Sequence, residues 1–303
     1  MINSDKNIAS SCFEVSNETK LSDGWEFIME NIIQLEDIAK KVRQQIFCLN
    51  SKNGSGHYAS SLSCVEILVS LYFGGILQYD PNNMDAIDRD RFIMSKGQGA
   101  TALYAILHYA NVFGESILKS YCTPESKLGG LVSEYLPYGL ECSTGSLGHG
   151  LGFAGGVALN AKLQNHSFRT YVLMGDGECQ EGTVWEAALS IAHFKLNNLI
   201  AIIDYNGLQA SERTENIIKL DSISEKWKAF GWDVLEVDGH DIHALISALM
   251  QAKSSIEKPC IIIAKTVKGK GITFMENSVD WHCRAMTEEE LRISREDLDL
   301  AKC

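Results

Sequence analysis

Only four prolines occur in 303 residues, and no Pro-, Gly- or Ser-rich run is long enough to act as a linker. Nothing therefore marks an internal domain boundary, and no internal repeat is found. No apolar run reaches the roughly 18 residues that a membrane helix requires. Positive charge is also scarce, with 27 Lys and Arg against 39 Asp and Glu and a net charge of −12. That balance argues against nucleic acid and against an anionic membrane surface as partners. The opening stretch MINSDKNIASSCFEVSNETKLSDG has neither a basic start nor an apolar core, so it does not read as a secretory signal. Nine cysteines form no CxxC pair. Reduced thiols in a cytoplasmic protein fit them better than disulfides or zinc.

A core is well provided for, with 45% hydrophobic and 22% charged residues. Apolar spacing predicts a helix over 24–50, a Gly/Ser loop SKNGSGHYASSLS, and a strongly apolar helix in CVEILVSLYFGGIL. The short apolar segment RFIMS leads through KGQG into the helix ATALYAILHYANVF. Residues 114–141 carry no period. STGSLGHGLGFAGGVALNAKLQ passes from a glycine-rich turn into a small-residue helix suited to close packing. Beyond it come strand 170–174, helix 181–196, strand 199–204, strand WDVLEVD, helix GHDIHALISALMQAKSS and strand CIIIAKTV. Alternating strands and helices with continuous Val/Ile/Leu runs imply an α/β, doubly wound, mostly parallel sheet with helices on both faces. The expected organisation is a polar tail (1–23), one folded body (24–285) and a charged, exposed C-terminal helix (286–303).

The centre of this pattern holds an acidic residue between two glycines, Gly175-Asp176-Gly177, at the end of a buried strand. In doubly wound sheets, ligands bind outside the carboxyl ends of the strands. Asn206 follows the next strand, 206 − 176 = 30 residues on, which is about one βαβ unit. A right-handed crossover lets both side chains enter one crevice. A carboxylate and an amide oxygen are hard donors suited to Mg²⁺ or Ca²⁺ rather than zinc. The amide of Gly177 and the following helix start can meet a phosphate. Two other glycine loops do not match: a dinucleotide fingerprint needs glycine at 180, which is Gln, and a Walker-type loop needs Lys-Ser/Thr where Thr183-Val184 stands. A tight turn with Asp176 as a helix cap is the alternative for GDG taken alone.

The string GDGECQEGTVWEAALSIAHFKLNNLIAIIDYNGLQ (175–209) resembles the thiamine-diphosphate motif, and its QEG, HFKL and NLIAIIDYN details resemble transketolases above other users of the cofactor. GSGHYASSLSCVEIL, STGSLGHGLG, VDGHD and KTVKGKGITFMENSVDWH match further family segments in order, so that the resemblance covers about residues 25–285. It implies that Asp176, Asn206 and the carbonyl of Leu208 hold Mg²⁺ (Ca²⁺ in substitution), and that Gly177 and Asn206 also face the diphosphate. His57 would lie over the thiazolium, Gly145 and Leu147 would meet the aminopyrimidine, and His282 would be a diphosphate-contacting, catalytic histidine. Glu181 matches a glutamate that couples two active sites across a dimer; favouring the helix N-terminus is its other reading. The family's activating glutamate lies in a second, pyrimidine-binding domain, and a full-length transketolase is about twice this length. The resemblance therefore implies the N-terminal diphosphate-binding subunit of a split transketolase, inactive without a C-terminal partner chain in an α₂β₂ assembly, transferring a two-carbon ketol or acyl unit between ketose and aldehyde substrates. The alternatives are a noncatalytic paralogue that binds cofactor or partner only, and the α-subunit of a 2-oxoacid dehydrogenase.

Three departures bear on the substrate. SKGQG puts Gln98 at a cofactor-facing position where the family has histidine, and an amide carries neither proton nor charge at neutral pH. GLVSE at 130–134 stands in for GHPE, removing a substrate-facing histidine, and Cys283 follows His282 in place of glycine. An acceptor or donor other than the pentose-phosphate sugars is expected. His57 sits in a Gly/Ser loop with no core to fill, which favours a functional role. His149 reads as a loop cap, His240 as a support for its adjacent loop and His243 as a surface residue. Lys268 and Lys270 in KGKG either approach an anion or are only solvated.

Overall fold

A computed structural model of the chain describes residues 21–52 and 56–301. Helix α1 (Leu21–Lys52) begins inside the segment expected as a polar tail, and the rest of that tail, like positions 302 and 303, lies outside the described residues. After it come α2 (Tyr58–Leu62), α3 (Val65–Phe73), β1 (Arg91–Met94), α4 (Ala100–Tyr109), α5 (Glu115–Lys119), α6 (His149–Gln164) and β2 (Thr170–Gly175). The second half runs α7 (Gly182–His193), β3 (Leu199–Tyr205), α8 (Thr214–Ile217), α9 (Ile223–Ala229), β4 (Asp233–Asp238), α10 (Ile242–Lys253), β5 (Cys260–Lys265) and α11 (Glu288–Asp297).

The five strands found among the described residues are all parallel, in the order β1-β2-β3-β5-β4. The unbroken apolar runs of β2, β3 and β5 are buried because helices cover both faces. Strand periodicity then sorts residues into two layers. Tyr171, Leu173, Ile200, Ile202 and Ile262 pack with residues of α1, α3, α4 and α10. Val172, Met174, Ala201, Ile203 and Ile261 pack with α6, α7 and α9. Edge strand β4, with its alternating sequence, is only partly covered.

The small-residue helix α6 packs as closely as its composition predicts. A Cβ on Gly150 would stand 2.2 Å from Ser95 Oγ, so the helix start presses on the end of β1. Helix α10 starts later than its pattern suggests, because Asp241 caps it by accepting from Ala244 N at 2.9 Å. His240 is thereby left in a turn. The unpatterned stretch 114–141 holds only α5 and the 3₁₀ turn Leu136–Tyr138. Cys64, Cys122, Cys142, Cys179, Cys260 and Cys283 are free thiols. Cys48 corrects the expectation of reduced cysteines throughout, since it is disulfide-bonded. Among the described residues no helix is long and apolar enough to cross a membrane.

Candidate active site

Adjacent strands β2 and β3 end in register, Gly175 beside Asp204, so the residues that follow them emerge side by side. Asp176 is only 2% exposed. Its Oδ2 accepts from Gly207 N at 2.9 Å and from Thr214 Oγ1 at 2.8 Å, which ties the GDG turn to the loop after β3. Burial pushes its pKa up to about 6; a bound divalent cation would restore the carboxylate. Asn206 Oδ1 accepts from Leu208 N at 3.1 Å, and a Leu208–Arg213 bridge closes the same loop. Asp176, Asn206 and the Leu208 carbonyl thus belong to one connected unit of hard oxygen donors, the set that Mg²⁺ prefers. No group of three His, Cys, Asp or Glu side chains with metal-holding geometry occurs among the described residues. His243 is exposed, as expected.

Directly beneath lies a charged pair that sequence reading passed over. Asp204, fully buried at the end of β3, accepts from Lys96 Nζ, from Thr266 Oγ1 and from Ser63 Oγ, the last at 2.6 Å. Lys96 Nζ also donates to Ser60 O at 2.9 Å. Burial works to raise the Asp204 pKa, but the Lys96 ammonium and the hydroxyls outweigh it and hold the carboxyl below its usual range. Asp204 was visible in LIAIID as the one charged residue of an otherwise apolar strand, and Lys96 as the cation directly after RFIMS.

Cationic and imidazole groups close the crevice from the opposite side. Lys268 is 2% exposed and donates from Nζ to Gln209 O at 2.8 Å. Burial first, and then the charge of Lys96, push its pKa down to about 8. That buried position decides between the two sequence readings of Lys268, whereas Lys270 is half-exposed with its Nζ 3.6 Å from Glu276. His57 and His282 meet edge to face, with ring centroids 5.3 Å apart. Burial followed by Lys268 lowers both, His282 to about 4, so each imidazole is neutral at pH 7. His282 Nδ1 and Gln209 Nε2 are buried without a hydrogen-bond partner. Gly177 leaves room beside them, since a Cβ there would lie 2.7 Å from Gln209 Cγ.

On the β1 side, the SKGQG turn packs against the loop that carries Gly145. A Cβ on Gly97 would stand 2.9 Å from Gly145 N, and Thr144 Oγ1 beside it is buried and unpartnered. Gly145 has φ +133, and a Cβ there would meet Leu131 Cδ1 at 2.6 Å. Leu131 therefore sits on the loop proposed from sequence to meet the aminopyrimidine. Gln98 and Leu147 are half-buried, and Gln98 O accepts from Ser61 Oγ at 3.2 Å. His149 Nδ1 lies 3.1 Å from Leu147 O, as its loop-capping role predicts. Glu178 was missed altogether: buried to 1% exposure, it accepts from Ser95 Oγ, from Gly148 N at 2.8 Å and from Gly175 N at 3.2 Å. One carboxylate thus joins the ends of β1 and β2 to the start of α6. Glu181 lies apart from the crevice, exposed at the start of α7.

The residues fit a diphosphate with a divalent cation. The oxygen donors lie on one side, a buried ammonium on the other, and unpartnered imidazole and amide nitrogens line the crevice between them.

The chain matches the family described as "Transketolase, thiamine diphosphate binding domain" over residues 36–302. It is 41% identical over 266 residues to one of the two kinds of chain named for an apulose-4-phosphate transketolase in Actinobacillus succinogenes, covering 88% of this chain and 96% of that one. To the 6-deoxy-6-sulfo-D-fructose transketolase subunit SqwG of a Clostridium species it is 37% identical, over 89% of this chain and 98% of that one. The crystal structure of transketolase from Campylobacter jejuni superposes with a TM-score of 0.79 at 32% identity, over 87% of this chain but 43% of that longer chain.

Proposed function

The chain belongs to the transketolase family, and we propose that it is the diphosphate-binding subunit of a two-chain, thiamine-diphosphate-dependent transketolase that transfers a two-carbon unit to an aldehyde acceptor. The observation that carries this reading is the single crevice joining Asp176, the Asn206 loop and buried Lys268. Asp176, Asn206 and the Leu208 carbonyl would hold Mg²⁺, while the Gly177 amide, Lys268 and His282 would hold diphosphate oxygens. Once bound, the cofactor supplies a carbanion that adds to a carbonyl and then serves as an electron sink. His57 and His282, both neutral, are poised to donate or accept a hydrogen bond at the reacting oxygen atoms. Glu178 keeps the turns that carry Gly145 and Asp176 in a fixed relation.

Relatives of matching length are named as subunits, which supports a second chain with the pyrimidine-binding domain, in an α₂β₂ assembly. Helices α6 and α7 present an apolar groove of about 430 Å³ that includes Phe153 and Phe194. Leu189 (58% exposed) stands out on the same pair of helices. Such a patch suits a contact between chains, and Glu181 lies at its edge. A cytoplasmic location belongs to the same proposal and accords with the free thiols among the described residues.

The substrate reading follows from Gln98 and Leu131. An uncharged amide and an apolar side chain at these positions weaken recognition of a sugar phosphate's hydroxyls and charge. The donor or acceptor is therefore expected to differ from the pentose-phosphate sugars, and the relatives named for apulose 4-phosphate and a sulfonated sugar are consistent with this. Steady-state assays of the reconstituted pair with cofactor, Mg²⁺ and a panel of ketose donors test it. Efficient turnover of xylulose 5-phosphate with ribose 5-phosphate would overturn the substrate reading, and full activity of this chain alone would overturn the two-chain reading.

A further inference from the structure

Behind the crevice wall, three charged groups from three elements converge on the loop that carries Lys268. Arg43 of α1 pairs with Glu66 of α3, its Nη2 lying 2.6 Å from Oε1 and 2.8 Å from Oε2. His240, in the turn between β4 and α10, places Nδ1 2.9 Å from the same Oε2. Its other ring nitrogen, Nε2, accepts from Val267 N at 2.8 Å. An accepting Nε2 requires the ring proton on Nδ1, where Glu66 takes it. The carboxylate thereby selects the tautomer that can hold the Val267 amide.

Val267 directly precedes Lys268, and the chain beyond is pinned as well. Lys268 O accepts from Asn277 N at 3.0 Å, and Gly269 N donates to Ala59 O at 3.1 Å in the helix next to His57. Arg43 Nε reaches Lys270 O at 3.2 Å, so the cluster grips the loop on both sides of Lys268. A Cβ on Gly269 would stand 2.5 Å from Met275 O, which leaves the loop little freedom to relax by another route. His240 itself does not enter the crevice: its contacts are Glu66 and the Val267 amide.

We propose that His240, in the tautomer imposed by Glu66 and Arg43, is the positioning residue that sets Lys268 against the bound diphosphate. This goes beyond loop support, because it assigns the imidazole a share of cofactor affinity delivered through one named side chain. It rests on the reading of Lys268 as a diphosphate contact. Partners behind a binding group commonly contribute tenfold or more to affinity by fixing its orientation.

The test measures the thiamine diphosphate dissociation constant of the reconstituted two-chain enzyme at saturating Mg²⁺. His240→Ala is expected to weaken binding about tenfold. His240→Gln, whose amide can accept from Val267 and donate to Glu66, should return affinity to within about threefold of wild type. Glu66→Gln removes the carboxylate that selects the tautomer; it should weaken binding as His240→Ala does and is the variant to read if His240→Ala does not fold. In a Lys268→Met background, the same His240 and Glu66 changes should add nothing. If Lys268→Met leaves the dissociation constant unchanged, the Lys268 reading fails and this proposal with it. If Lys268→Met weakens binding but the His240 or Glu66 change weakens it further by its full factor, the Lys268 reading stands and the positioning role is overturned. Unchanged affinity in the single His240 or Glu66 variants also overturns it.

Discussion

At the amino ends of β1 and β2, Asp90 accepts from Arg169 N through Oδ1 at 2.7 Å and from Gln78 N through Oδ2 at 3.0 Å. Nearby, Arg89 and Arg91 converge on Glu141, Arg89 at 2.5 Å. The carboxyl ends of the same sheet also bury charge, in Asp176, Asp204, Lys96 and Lys268. There the resemblance stops. The Asp90 carboxylate spends both oxygens on the backbone and joins two strand starts. Around the crevice, a lysine is held with its proton weakened, two imidazoles are kept neutral, and polar nitrogens of His282 and Gln209 face no partner. Similar residue types thus serve opposite ends: one set has met its partners within the chain, while the other is left open to a ligand. Burial supplies the difference, because an unmet polar group in low dielectric is costly to the empty fold and strong toward an incoming ion.

The largest break in this contrast should come from Asp176→Ala, which is expected to abolish Mg²⁺-dependent thiamine diphosphate binding in the assembled enzyme. Calorimetric titration checks this, and binding that persists unchanged would refute the metal assignment. Asp90→Ala should do the reverse. It strands two backbone N–H groups and is expected to cost roughly 2–4 kcal/mol of stability, read by denaturant unfolding, while cofactor affinity in the assembled enzyme stays as it was. The smallest effect sharpens the crevice side alone. Lys268 loses its proton near pH 8 in the free protein, below its ordinary 10.5, and an adjacent diphosphate would restore the ammonium. Binding at pH 9 should therefore take up most of one proton, binding at pH 7 almost none, and affinity should fall as pH rises above 8. Titration in buffers of different ionisation enthalpy measures the uptake, and Lys268→Met should remove it.

Much of this molecule was legible before its structure. The strands of the central sheet announce themselves because a strand covered on both faces must be apolar throughout, as in LIAIID and CIIIA. GDG with Asn206 thirty residues on was readable because a βαβ unit has a nearly fixed length. The bounds of α10 were less accessible: period alone extended the helix over GHD, and only the Asp241 cap shows that His240 stands free. Glu178 illustrates a deeper limit. Nothing in GDGECQEG distinguishes it from Glu181, yet one is buried among three donors and the other is exposed. Which of two glutamates turns inward depends on where Ser95 and Gly148 arrive, and those residues lie far away in sequence.

By itself, then, the sequence determined the parallel α/β class, the order of its elements and the cofactor motif, all of which are written in local period and spacing. Only the tertiary structure decided that Lys268 is buried, that Asp204 is paired with Lys96, and that Glu66 sets the tautomer by which His240 holds the Lys268 loop. Each of those depends on burial and on partners tens to hundreds of residues distant, and a proton's position or a charge's energy has no value until such partners are in place.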